Sequence, residues 1–115
     1  MPLIAIPLTT TEREFLVQGL SQWKGPARPT EALSALFGYK DTAALDAGFE
    51  RIQDAIERRE PLPAEDWHRT LLATELAFAS DLHGAGTEWS TVTRFSDTES
   101  IELLRSLQHK LAGLL

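Results

Sequence analysis

Residues Asp66–Leu82 read DWHRTLLATELAFASDL, the longest run that is both helix-forming and strongly apolar, and the fold is read outward from it. At 100° per residue, Trp67, Leu71, Leu72, Leu76, Phe78, Ala79 and Leu82 fall on one half of the helix surface, and Arg69, Thr70, Thr74, Ser80 and Asp81 on the other. An apolar face that wide needs cover on more than one side, so this stretch is expected to be the central helix of a small core. Pro63 or Ala64 opens it, with Glu65 and Asp66 near its positive end, and His83-Gly84-Ala85-Gly86 stops it.

Upstream, Thr9 with Glu12 and Thr11 with Glu14 match the capping-box spacing, which starts a first helix whose apolar face is Phe15, Leu16, Gly19, Leu20 and Trp23. A short helix over Thr30–Phe37 ends at Gly38, a residue suited to a left-handed cap. Asp41 caps a third helix running to about Arg59. Its apolar residues Leu45, Phe49, Ile52 and Ile56 lie in a strip only ~60° wide, which predicts a helix at the domain's edge with a coiled-coil-like seam. Downstream, Ser96 with Glu99 repeats the capping box before a last helix, Asp97 to about Ala112, carrying Ile101, Leu103, Leu104, Leu107, Leu111 and Leu114.

The fold class is therefore mainly α: a compact single-domain bundle of about five helices over residues 1–115. Leu3–Ile6, fenced by Pro2 and Pro7, suits a short edge strand, and Thr87–Phe95 is rich in β-branched and aromatic residues. Pairing Leu3–Ile6 with Glu88–Arg94 would add a two-stranded ribbon; one helical turn after Thr87 is the alternative.

Composition narrows function by exclusion. The chain has 115 residues, 43% hydrophobic and 24% charged, as in ordinary globular proteins. It contains no cysteine, which excludes disulfides, thiolate metal sites and cysteine nucleophiles. No apolar run approaches the roughly 18 residues of a membrane span, and PLIAIPL is too short for a signal-peptide core, so the expected compartment is the cytoplasm. A net charge of −6 opposes sequence-independent binding to nucleic acid or anionic lipid. Basic residues are mainly arginine, with lysine only at positions 24, 40 and 110; with abundant alanine, this bias is associated with GC-rich bacterial genomes.

His68 and Glu75 are the polar residues that stand out on the central helix. They are expected as an interior pair near the middle of its apolar half, two turns or about 10.8 Å apart, too far to share a metal ion or proton unaided. A buried carboxylate must be paired or protonated, so Glu75 is expected to meet Arg94, Arg105, Arg13 or the indole of Trp23 or Trp89. The bland reading is an anchor that fixes how helices meet; the functional one is a general base or ligand contact, which requires an internal cavity beside both residues. Asp81, His83 and Glu88 around the glycine turn do not converge as metal ligands should, and no P-loop, G-x-S-x-G or HExxH occurs. No cofactor and no enzymatic activity are expected.

Leu33–Ile52, LSALFGYKDTAALDAGFERI, resembles the second half of an AraC-type helix-turn-helix. Gly38, Tyr39, Leu45 and Phe49 occupy that family's glycine, aromatic and two apolar positions. The resemblance covers about twenty residues and implies two steeply angled helices, the second presented to the DNA major groove. Asp46, Glu50, Asp54 and Glu57 depart from it, since carboxylates on that helix repel phosphate.

The expected function is a non-enzymatic cytoplasmic protein-interaction module, self-associating as a homodimer. Its candidate surface comprises Leu3, Ile4 and Ile6 of the strand, the seam Leu45, Phe49, Ile52 and Ile56, and the C-terminal Leu114 and Leu115. The alternatives are a DNA-binding regulator using residues 30–59, and an acidic immunity- or antitoxin-like protein that neutralises a basic partner.

Overall fold

Side-chain caps set where most of the helices begin. The computed structural model describes residues 2–25, 27 and 29–114. Helix α1 (Thr10–Ser21) starts at a complete capping box: Thr9 Oγ1 accepts the Glu12 N–H at 3.0 Å and Glu12 Oε1 accepts the Thr9 N–H at 2.8 Å. Thr30 caps α2 (Glu31–Leu36) and Asp41 caps α3 (Thr42–Glu57). Between these two, Gly38 takes φ +87°, a conformation that a β-carbon would strain. Pro63 precedes α4 (Ala64–Ala79) without a side-chain cap. Helix α5 (Trp89–Thr93) is short, and α6 (Asp97–Leu111) starts at the second capping box, Ser96 with Glu99. The architecture is mainly α, with six α-helices among the described residues rather than about five, and none of them is long and apolar enough to cross a membrane.

A small antiparallel ribbon is present, with a different partner from the one expected. β1 (Leu3–Ile4) pairs with β2 (Leu62–Pro63), Leu3 opposite Pro63 and Ile4 opposite Leu62. The Trp67 indole N–H fastens it by donating to the Ile4 carbonyl at 2.9 Å. Glu88–Arg94 takes the helical alternative. Trp89 and Thr93, four apart, are both buried, the Thr93 hydroxyl donates to the Trp89 carbonyl, and Arg94 at φ 67° ends the turn. The buried Trp89 indole donates to Ser100 Oγ at 2.8 Å, a contact that overrides the β propensity of TVT.

Helix α4 is central, but it is rotated relative to its hydropathy. Its buried residues are Asp66, Trp67, Thr70, Ala73, Thr74 and Ala77, whereas Leu71, Leu72, Leu76 and Phe78 are only half-buried and Ala79 is exposed. Small side chains explain this. Gly19 of α1 sits directly on Thr74, so the two helices approach closely only along the Thr/Ala face. The threonine hydroxyls lose nothing inside, because each donates to the carbonyl four residues back, Thr70 to Asp66 at 2.7 Å and Thr74 to Thr70 at 2.8 Å. The helix also stops at Ala79, short of Leu82. Ser80 leaves helical geometry, and the loop folds back so that the Ala85 N–H donates to the Ala77 carbonyl at 2.7 Å, leaving Leu82 82% exposed.

The seam of α3 is interior, not an edge contact. Leu45, Phe49, Ile52 and Ile56 are all buried within the chain, against α1 and an aromatic group of Trp23, Phe37, Phe49 and Tyr39. A second aromatic group, Phe15, Trp89, Phe95 and Phe78, lies under α5. One core cluster joins both. Of the expected apolar face of α6, Leu104, Leu107 and Leu111 are buried while Ile101 is half exposed.

Candidate functional site

With its small face turned inward, α4 presents its leucines outward. Three shallow hollows follow that outer side. The first, about 260 Å³, lies between the end of α2 and the first half of α4, lined by Leu36, Gly38, His68 and Leu72 among others. The second, about 150 Å³ and almost wholly apolar, is bounded by His68, Leu71, Gln108, Leu111 and Ala112. The third, about 240 Å³, lies between the second half of α4 and α6, with Glu75, Phe78, Ile101, Leu104 and Gln108 in its wall. His68 belongs to the first two and Gln108 to the last two, so the hollows form one continuous strip. Exposed aliphatic side chains stand at its ends, Leu36 at 62% and Ile101 at 50% exposure.

His68 and Glu75 are thus not an interior pair. Both are half-buried, and none of these three hollows is lined by the two together. The Glu75 partner is Gln108, whose Nε2 donates to Oε2 at 2.6 Å, and none of the five expected groups. Arg13 donates to the Ile56 carbonyl, Trp23 to the Ala73 carbonyl and Trp89 to Ser100. Arg105 reaches Glu75 at one remove, its Nη1 donating to Gln108 Oε1 at 3.0 Å. His68 Nε2 is enclosed without a hydrogen bond in the structure.

Two ionic clusters are centred on buried carboxylates and join residues far apart in the sequence. Asp66, buried on α4, accepts from Arg51 of α3 at 3.1 Å and from Arg69 at 3.0 Å. Arg69 also donates to the Phe37 carbonyl at 2.7 Å and lies 4.7 Å over the Tyr39 ring, so it binds the α2–α3 turn to α4. Burial pushes the Tyr39 phenol up from its ordinary value, and the enclosed hydroxyl has no hydrogen bond. The second cluster is Glu12, which receives Lys110 Nζ and the Ser106 hydroxyl besides its capping bond to Thr9. Burial alone would raise its carboxyl, but the Lys110, Thr9 and Ser106 bonds outweigh it and hold the pKa at about 2. Both clusters pair charges between neighbouring helices, Arg51 of α3 with Asp66 of α4 and Lys110 of α6 with Glu12 of α1.

The other expected surface residues divide. Leu3 is 61% exposed, Ile4, Ile6 and Leu114 are half-buried, and Leu115 lies outside the described residues. Leu45, Phe49, Ile52 and Ile56 are enclosed by their own chain and have no face to offer a partner. In the segment that resembles a helix-turn-helix, Leu45 and Phe49 do point inward, while Asp46, Glu50, Asp54 and Glu57 are exposed on α3 and Arg51 is committed to Asp66. A larger hollow, about 630 Å³, lies between this face and Glu60–Pro63 and carries charges of both signs, among them Glu50, Arg51, Asp54 and Arg58. Among the described residues, no three His, Asp or Glu side chains converge as a metal site would require. No family model matches the chain, and no curated protein or solved structure is significantly similar to it.

Proposed function

We propose that this chain is a non-enzymatic protein-interaction module that acts in the cytoplasm and self-associates. The observation that carries the reading is the outward leucine side of α4, a strip that runs from Leu36 past Leu71 and Leu72 to Ile101. Scattered single apolar residues on a surface need no explanation, but a contiguous strip with recesses and protruding aliphatic ends does. The polar groups along it, His68, Glu75 and Gln108, suit the margin of a protein contact. Sedimentation equilibrium of the chain at tens of micromolar tests this reading: the expected mass is twice 12.8 kDa, and a clean monomer overturns it.

A basic protein partner is the second reading, favoured by the acidic outer face of α3, where Asp46, Glu50, Asp54 and Glu57 fall at helical spacing. The same face weighs against DNA, whose phosphates it would repel. Association that weakens steeply with salt, on titration with a basic protein from the same source, supports this second reading.

A further inference from the structure

We infer that the extended strap ahead of α1, residues 3–7, is exchanged between two copies of the chain, each strap seated in the other copy's groove. This deepens the self-association proposed above and rests on it, while the contact itself lies apart from the leucine strip of α4. What fills the groove is visible within one copy. Ile4 and Ile6 pack half-buried against the core cluster, and Leu3, Ala5 and Pro7 between them are exposed. At one end of the strap, β1 pairs with Leu62–Pro63, and the indole of Trp67, itself 2% exposed, donates to the Ile4 carbonyl. At the other end, Lys110 of α6 donates to the Pro7 carbonyl at 2.8 Å. Both side-chain clasps hold main-chain carbonyls. The groove therefore selects an extended backbone with apolar side chains at alternate positions, and the strap of a second copy has that same pattern.

The ladder and both clasps join the strap to residues between Leu62 and Lys110, so each is remade when the strap comes from a second copy. Only the joint at Leu8–Thr9 changes. That joint is short and stiff. Pro7 fixes its own φ on one side, and on the other the Thr9–Glu12 capping box holds the start of α1. Short joints invite exchange, because they restrict how the strap folds back on its own chain. Release is local: no strap residue is fully buried, so the strap can lift while the rest of the core stays packed. A vacated groove leaves the buried Trp67 indole without its acceptor, which favours refilling. The strap carries no charge, so the net charge of −6 on the receiving copy does not oppose its seating.

The chain has no cysteine, so a disulfide can report whose strap fills each groove. Leu3 and Pro63 are opposed in the ribbon. Opposed residues of an antiparallel pair have Cα atoms about 4.5–5.5 Å apart, within disulfide range. Leu3→Cys with Pro63→Cys is equilibrated at tens of micromolar, oxidised mildly and run on a non-reducing denaturing gel, with Asp54→Cys alone as the background for random collisions. Exchange gives a doubly bridged dimer as the main product; a strap docked on its own chain gives a bridged monomer. A second variant tests the joint. Two glycines inserted between Leu8 and Thr9 let the strap fold back, and with folding checked by circular dichroism they should raise the dimer dissociation constant at least about tenfold. A parent that sediments as a dimer but yields only bridged monomer, or only free thiols, overturns strap exchange and leaves self-association standing. So does a dimer insensitive to the glycine insertion. A monomeric parent removes both.

Discussion

A β-carbon placed on Gly19 of α1 would lie 2.2 Å from the Thr74 hydroxyl oxygen of α4, closer than any real contact. The backbone of one helix therefore rests on a side chain of the other, and the absence of a side chain at Gly19 sets how near the two principal helices come. Ala is the better helix former by about 1 kcal/mol, so an exposed Gly→Ala change would stabilise. At Gly19 the clash should win, with Gly19→Ala losing about 2 kcal/mol or more in urea denaturation. Adding Thr74→Gly should recover part of the loss, since it removes the atoms in conflict. A Gly19→Ala variant as stable as the parent would show that the helices are not held this close.

The same contact explains why the burial of α4 was not legible in its hydropathy. Threonine carries a polar hydroxyl, yet Thr70 and Thr74 are fully buried because their hydroxyls bond within the helix. The available signal was the four-residue spacing of Thr70 with Thr74 and of Ala73 with Ala77, a small face suited to a glycine on a neighbour. Features that depend on local chemistry were legible: both capping boxes, the left-handed Gly38 and the buried face of α1. Those set by long-range partners were not. Two residues of β1 between prolines carry no information about pairing with Leu62–Pro63, and the narrow stripe of α3 did not say how many neighbours would enclose it. For the candidate site, the sequence marks His68 and Glu75 as unusual but places them inside, because it puts the wrong side of α4 toward the core.

Tyr39 presses its hydroxyl against Gly48, where an added β-carbon would lie 2.3 Å from the oxygen, and that hydroxyl is enclosed without a hydrogen bond. An unsatisfied buried polar group costs about 1–3 kcal/mol. Tyr39→Phe keeps the ring under the Arg69 guanidinium and against Phe49, and removes only the unpaired oxygen. It should hold or raise stability, by up to about 1 kcal/mol, in thermal and chemical denaturation. A loss above that size would mean that the hydroxyl has a partner.

Ser100 is fully buried and uses its hydroxyl twice, donating to the Ser96 carbonyl at 2.7 Å and accepting the Trp89 indole N–H. Ser100→Ala strands that N–H inside the core and should cost about 1–2 kcal/mol. Trp89→Phe in the same background removes the stranded donor, so the two changes should be non-additive in a double-mutant cycle. Additivity would count against the bond.

Glu12 should make the fold sensitive to acid. Its carboxyl sits at about 2 in the folded chain against an ordinary 4.5, so the folded state favours the ionised form. The resulting stability is complete above the unfolded value and is lost as pH falls from about 4.5 toward 2. Two to three units correspond to about 3 kcal/mol at neutral pH, an upper figure because burial and pairing partly offset each other. Glu12→Gln should lower stability most near pH 7 and converge on the parent near pH 2, where the parent's carboxyl is also losing its charge. Because Lys110 would then be left without its carboxylate, Glu12→Gln with Lys110→Met should recover more stability than either change alone predicts. Urea midpoints measured from pH 2 to 7 check this, and parallel curves for parent and Glu12→Gln would show that the Lys110 pair between α1 and α6 contributes no stability.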